Sequence, residues 1–175
     1  MALLLAAWLP LRELFAAANV DHQLAFIVIT HLPVHHVSHL AELLAHAAPL
    51  PAVEAKAGER LDGGHIYVMP PGKLMGLRYG CIFFQAETKI RPPAPKPIDF
   101  FMMSLAETMH ERGVGIVLSG TDHDGTVGLK AIKAAGGLSI VQTPLSAEFP
   151  SMPQSSINIG TADLVVAPSA MLSAL

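Results

Sequence analysis

At 175 residues the chain is long enough for one domain burying about two thirds of its unfolded surface. Hydrophobic residues make up 51% and charged residues 14%, which excludes a disordered chain and fits strands covered on both faces. Lys+Arg number 11 against 14 Asp+Glu, a formal net charge of -3, and the basic residues are scattered, so no footprint for nucleic acid is present.

In chain order, the apolar stretch from Met1 to Leu9 has no preceding Lys or Arg, which argues against a signal peptide. Residues 8–19 place Leu11, Leu14, Phe15 and Ala18 at helical spacing, with Pro10 expected in the first turn. An apolar strand is expected at 25–30, then a helix at 38–46 with Ser38 and Glu42 near its start and Pro49 and Pro51 as its stop. From Pro51 to Gln85 the texture is short extended pieces: 52–55, 66–69, and 74–77 with 81–84 as a hairpin turning at Arg78-Tyr79-Gly80. Arg91 to Pro97 reads as a stiff surface connector. A helix at 98–112, a strand at 114–118, a helix at 126–135 capped by Gly136-Gly137, a strand at 138–142, a helix near 154–159 and a strand at 163–166 complete the chain. The expected fold is α/β: a doubly wound, mostly parallel sheet with helices on both faces and a hairpin near 74–85. Cys81 is the one cysteine, which leaves no internal disulfide framework and points to a reducing, cytoplasmic setting. No apolar run reaches roughly 20 residues, so no membrane span is expected.

Two strand ends carry chemistry. The strand at 114–118 runs into the turn Ser119-Gly120-Thr121-Asp122-His123-Asp124-Gly125, and the strand at 25–30 delivers His31 to the equivalent edge. Ligands gather where parallel strands end and helices begin, so the two residues are candidates for an imidazole base and its carboxylate partner. Either has a plainer explanation: a histidine can cap a buried strand, and Asp-Gly is a common turn whose Asp can cap the following helix. Asp122, separated from Asp124 only by His123, is expected to repel it and raise the site's proton affinity.

No residue stands out as nucleophile. Ser119 lies at the strand end and Ser104 in a helix, neither with the glycine-flanked bend that exposes a hydroxyl. Ser151, Ser155 and Ser156 read as loop and cap residues near the site, and Cys81 as a buried thiol. His31, His35, His36 and His39 include an i, i+4 pair, but no Cys or carboxylate accompanies them at metal-site spacing. No metal or cofactor is expected, and a metal hydrolase built on that cluster is the chemical alternative.

Thr30-His31-Leu32-Pro33, Pro70-Pro71-Gly72, Pro97-Ile98-Asp99-Phe100-Phe101, the run from Leu118 to Gly125, Ala135-Gly136-Gly137 and Met152-Pro153 occur in an order that resembles the catalytic domain of the chemotaxis methylesterase CheB. The resemblance runs from about Leu11 to the C-terminus and implies that residues 1–175 are a single CheB-type methylesterase domain without a receiver domain. It also implies hydrolysis of glutamyl methyl esters, and deamidation of glutamine, on the cytoplasmic helices of methyl-accepting chemoreceptors. A serine nucleophile, a base at His31 and an aspartate at Asp124 would carry the reaction, with Gly120, Thr121, Met152 and Pro153 in the substrate and oxyanion region.

The sequence departs from that family at its start. The family's Gly-x-Ser-x-Gly-Gly turn falls at about Leu4, Ala6 and Ala7, so the serine is absent and the first strand is truncated. A central strand lost from a doubly wound sheet should leave an unfilled slot in the core. Catalysis is therefore expected to be impaired. The alternative is a non-catalytic signalling domain that binds receptors or other chemotaxis proteins. Reading the DNA ahead of Met1 would show whether a serine turn precedes it.

Overall fold

The computed structural model describes residues 2–18, 23–30, 38–86 and 96–175, and the side chains of all of these except 2–7 and 86. Two parallel sheets of three strands and one hairpin form the frame. In the first, β1 (Phe26–Val28) and β2 (Ala52–Glu54) flank β3 (Ile66–Val68), all parallel, with Phe26 opposite Ile66 and Ala52 opposite the same residue. Every residue of β3 is buried, as a strand covered on both faces requires. In the second, β6 (Val114–Val117) and β8 (Leu164–Val166) flank β7 (Leu138–Gln142) in parallel. Helices connect most successive strands, α2 (Leu40–Ala47) between β1 and β2, α4 (Thr126–Ala134) between β6 and β7, and α5 (Ser151–Asn158) between β7 and β8, while residues 55–65 carry the chain from β2 to its parallel neighbour β3 without a helix.

Alternation along the strands assigns the faces. Val28, Ile66 and Ile140 pack with Leu14 and Phe15 of α1 (Ala2–Ala16) and with Leu40 and Leu44 of α2. Val117 and Val141 turn the other way, onto Met102 of α3 (Pro97–Met109) and Leu129 and Ile132 of α4. Helices thus cover both faces, the doubly wound arrangement expected from the sequence.

The hairpin is β4 (Lys73–Arg78) and β5 (Cys81–Ala86), with Arg78 opposite Cys81. Its two turn residues, Tyr79 and Gly80, have φ of 52° and 76°, the left-handed pair that matches the twist of a tight hairpin. Leu77 fastens the hairpin to α3: its N–H donates to Ser104 Oγ at 2.9 Å, and its carbonyl accepts from Thr108 Oγ1 at 3.1 Å. Cys81 is half-buried rather than enclosed, because it sits at the first position after the exposed turn.

Several elements differ from expectation, among them the helix expected near 154–159, which runs Ser151–Asn158 and takes in Ser155 and Ser156 rather than leaving them in a loop or cap. α1 begins at Ala2, so Pro10 falls in its middle and not its first turn. Ala and Leu are strong helix formers, and that run carries the helix past the missing proline N–H. α3 ends at Met109, and a tight turn over His110–Arg112, entered with His110 at φ 51°, replaces its expected last residues. A short C-terminal helix, α6 (Pro168–Met171), was not expected; it packs on α1 and buries Met171 completely.

Among the described residues no strand stands between β1 and β6, and the two sheets share no ladder. Between them lies a cavity of about 930 Å³ lined by Leu14 and Phe15 of α1, Ile27 of β1, Phe101 of α3 and Ile116 of β6. This is the slot between the two sheets.

Candidate active site

The turn from Leu118 to Gly125 leaves the C-terminal end of β6 and enters α4, whose first-turn partner Gly125 is left-handed at φ 90°. Asp124 is buried, 5% exposed, and lines the cavity. Its carboxylate does not cap α4. It accepts from the first N–H groups of α3 instead: Ile98 N to Oδ2 at 3.0 Å and Asp99 N to Oδ1 at 2.9 Å, with Gly125 N adding 2.8 Å to Oδ1. Asp99, 6% exposed, answers from α3 by accepting from Gly128 N of α4 at 2.7 Å. Each aspartate thus satisfies orphan donors in the first turn of the helix that the other precedes or begins.

Burial pushes the Asp124 carboxyl above its ordinary value, the N–H bonds from Asp99 and Ile98 pull it back, and the Asp99 carboxylate pushes it up again. Asp122 is not the source of repulsion that the sequence led us to expect. It is exposed, and its Oδ1 accepts from the N–H of His123 at 2.7 Å, so water screens it from Asp124. The sequence reasoning missed Asp99, although an acidic residue in a helix's first turn is a signal for such a role.

Gly120 and Met152 come together across the site. The N–H of Gly120 donates to Phe149 O at 2.9 Å, and its carbonyl accepts from Met152 N at 3.1 Å. A Cβ at Gly120 would collide with the Met152 sulfur, so glycine is needed for this close approach. Thr121 is exposed and lines the cavity with Met152, while Pro153 is buried in α5 and does not line it.

The hydroxyls considered as nucleophiles are mostly committed elsewhere. Ser119 accepts from Phe149 N at 2.9 Å and is buried, Ser104 donates to Phe101 O at 2.7 Å, and Ser156 is buried and donates to Met152 O at 3.1 Å. Ser155 differs: its Oγ lies 2.7 Å from Nδ1 of His123.

His31, His35 and His36 lie outside the described residues. Thr30, the residue before His31, lines the same cavity as Asp124, and its buried hydroxyl has no partner among the described residues. His39 faces solvent and pairs with Glu42 at 3.0 Å.

The described frame is a doubly wound α/β domain whose polar residues converge at the C-terminal ends of β1 and β6. The CheB methylesterase family model matches residues 8–175, and the chain belongs to that family. Among its relatives, the protein-glutamate methylesterase/protein-glutamine glutaminase of Moorella thermoacetica is 31% identical over 160 residues, 89% of this chain and 38% of that protein. The Salmonella typhimurium protein of the same description is 31% identical over 145 residues, 81% of this chain and 42% of the relative. The crystal structure of the Thermotoga maritima CheB methylesterase catalytic domain superposes with a TM-score of 0.85 at 25% identity, covering 94% of this chain and 89% of that one. The chain thus spans less than half the length of these two curated relatives, and nearly all of the solved catalytic domain. No helix among the described residues is long and apolar enough to cross a membrane.

Proposed function

We propose that the chain is a protein-glutamate methylesterase domain of bacterial chemotaxis, acting on chemoreceptor glutamyl methyl esters, with His31 as base and Asp124 as its anionic partner. The observation that carries this reading is the buried Asp124 carboxylate at the end of β6, on the cavity that Thr30 also lines, in a chain of the CheB methylesterase family. Asp124 Oδ2 accepts one N–H, from Ile98, and so retains capacity for an imidazole N–H. Such a bond would fix the ring's tautomer and stabilise the imidazolium formed when it takes the nucleophile's proton.

Turnover is impaired in this reading, because the nucleophile turn is missing. Leucine at position 4 cannot be acylated, and the backbone from Ala2 to Ala16 is helical, not a strand-to-turn elbow. Gly120, Thr121 and Met152, which line the cavity, would border the ester, and Pro153, buried in α5 behind them, would not touch it. The test is methanol release from methyl-labelled receptor cytoplasmic fragments by the purified chain. Release far below that of an intact relative is expected, and turnover matching the relative would overturn the impairment. If methanol release is absent while the receptor fragment still binds at micromolar concentration, the chain acts as a non-catalytic receptor-binding domain.

A further inference from the structure

A serine inside a helix ordinarily turns its hydroxyl back onto the carbonyl one turn earlier, as Ser156 does onto Met152. The donating hydroxyls of Ser104, Ser119, Ser139, Ser146 and Ser173 likewise end on backbone carbonyls. Ser155, half-buried in α5, instead meets a ring nitrogen, His123 Nδ1, at 2.7 Å, within the range of an activated nucleophile and its base.

The pair is held from both sides. The N–H of His123 donates to Asp122 Oδ1 at 2.7 Å and its carbonyl accepts from Thr126 Oγ1 at 2.8 Å, which fixes the backbone carrying the ring. The Gly120–Met152 bond ties that turn to the first residues of α5, and buried Ser156 anchors the helix itself. The imidazole is exposed, so it can exchange protons with water. In the same turn, the backbone N–H groups of Thr121 and Asp122 have no protein hydrogen-bond partner among the described residues.

We propose that Ser155 and His123 form a nucleophile–base dyad that cleaves accessible carboxylic esters, separate from His31 and Asp124. With the His123 proton on Nε2, the Nδ1 lone pair accepts the Ser155 hydroxyl proton as Oγ bonds to the ester carbonyl carbon and the C=O π pair moves to oxygen. Collapse restores the C=O and breaks the bond to the alkoxy oxygen, which leaves as the alcohol with the proton from Nδ1. Water, deprotonated by the same nitrogen, then attacks the acyl-serine, releasing the carboxylic acid and returning the proton to Oγ. Among the described residues no carboxylate is bonded to the ring, so the dyad is slower than a complete triad.

The test uses the full chain with p-nitrophenyl acetate and with a fluorophosphonate probe mapped by mass spectrometry. A burst of nitrophenolate and phosphonylation at Ser155 are expected. Ser155→Ala abolishes both, and His123→Asn slows labelling at least about 100-fold, the lower bound for a general base. Ser173→Ala, on the exposed C-terminal turn, leaves both intact. Circular dichroism melts check folding, and should Ser155→Ala not fold, the His123→Asn labelling rate decides. Labelling at another serine, or none, overturns the dyad. Methanol release from methylated receptor is measured alongside: release unaffected by Ser155→Ala removes the dyad from that reaction, while labelled Ser155 with no methanol removes the methylesterase reading and leaves the dyad standing.

Discussion

Asp124 and Asp99 are two carboxylates buried in the same helix junction, Asp124 held by the N–H groups of Ile98, Asp99 and Gly125 and Asp99 by that of Gly128, with no cation partner among the described residues. Because burial raises Asp124 in the folded state, its stabilising contribution is full below the ordinary carboxylate value and falls as pH rises through the raised value. Replacing Asp99 by Asn keeps an oxygen for Gly128 N but removes the like charge. The Asp124 pKa should then fall, read by carboxyl NMR titration, and the loss of stability between acid and neutral pH should become shallower. An unchanged Asp124 titration would show that the two carboxylates are not coupled. Asp163 runs the opposite way. A hydrogen bond from Lys133 at 2.7 Å lowers its pKa, so its contribution is present above the ordinary carboxylate value and is lost as pH falls through the lowered one. Lys133→Met should move the acid-unfolding midpoint to higher pH; a midpoint that stays put would mean that the exposed pair contributes nothing.

At the scale of elements, the α3–α4 contact decides where Asp124 sits, and Gly128 sets its closeness. A Cβ there would lie 2.5 Å from Met102 Cβ and 3.2 Å from Asp99 Cα, so the helices would have to separate. Helix propensity alone would credit Gly128→Ala with up to about 1 kcal/mol. Overpacking a close contact costs about 1–3 kcal/mol, and moving Asp99 also strains its bond to Gly128 N. A net loss of about 1–2 kcal/mol in urea unfolding is expected, and a stabilised variant would show that the interface relaxes freely. Glycine at 128 looks unremarkable in the sequence, and the first-turn position of Asp99 signals a helix-start role without naming its partner, because each contact lies with a helix 29 residues away.

For the molecule as a whole, the slot between β1 and β6 is the dominant feature. The cavity of about 930 Å³ is partly open to solvent and lined largely by apolar side chains, so it is neither packed nor sealed dry. The chain as described therefore admits water or apolar molecules there, or contracts around the gap. Anilinonaphthalene sulfonate should bind the native chain and brighten, and urea unfolding should occur at a lower midpoint than in a relative whose central strand is in place. A native chain that leaves the dye dark would mean that the slot is closed in solution.

Periodicity and turn chemistry laid out most of this fold, because apolar runs such as Ala25 to Thr30, the Tyr79-Gly80 turn and the Gly136-Gly137 helix stop are local signals. What the linear order concealed were the long-range bonds: Asp124 capping α3 instead of α4, Asp99 in place of Asp122 as the neighbouring charge, and Ser155 meeting His123 across 32 residues. Those partnerships depend on how helices pack once the sheets are covered, and neither spacing nor propensity encodes a distance between side chains on different elements.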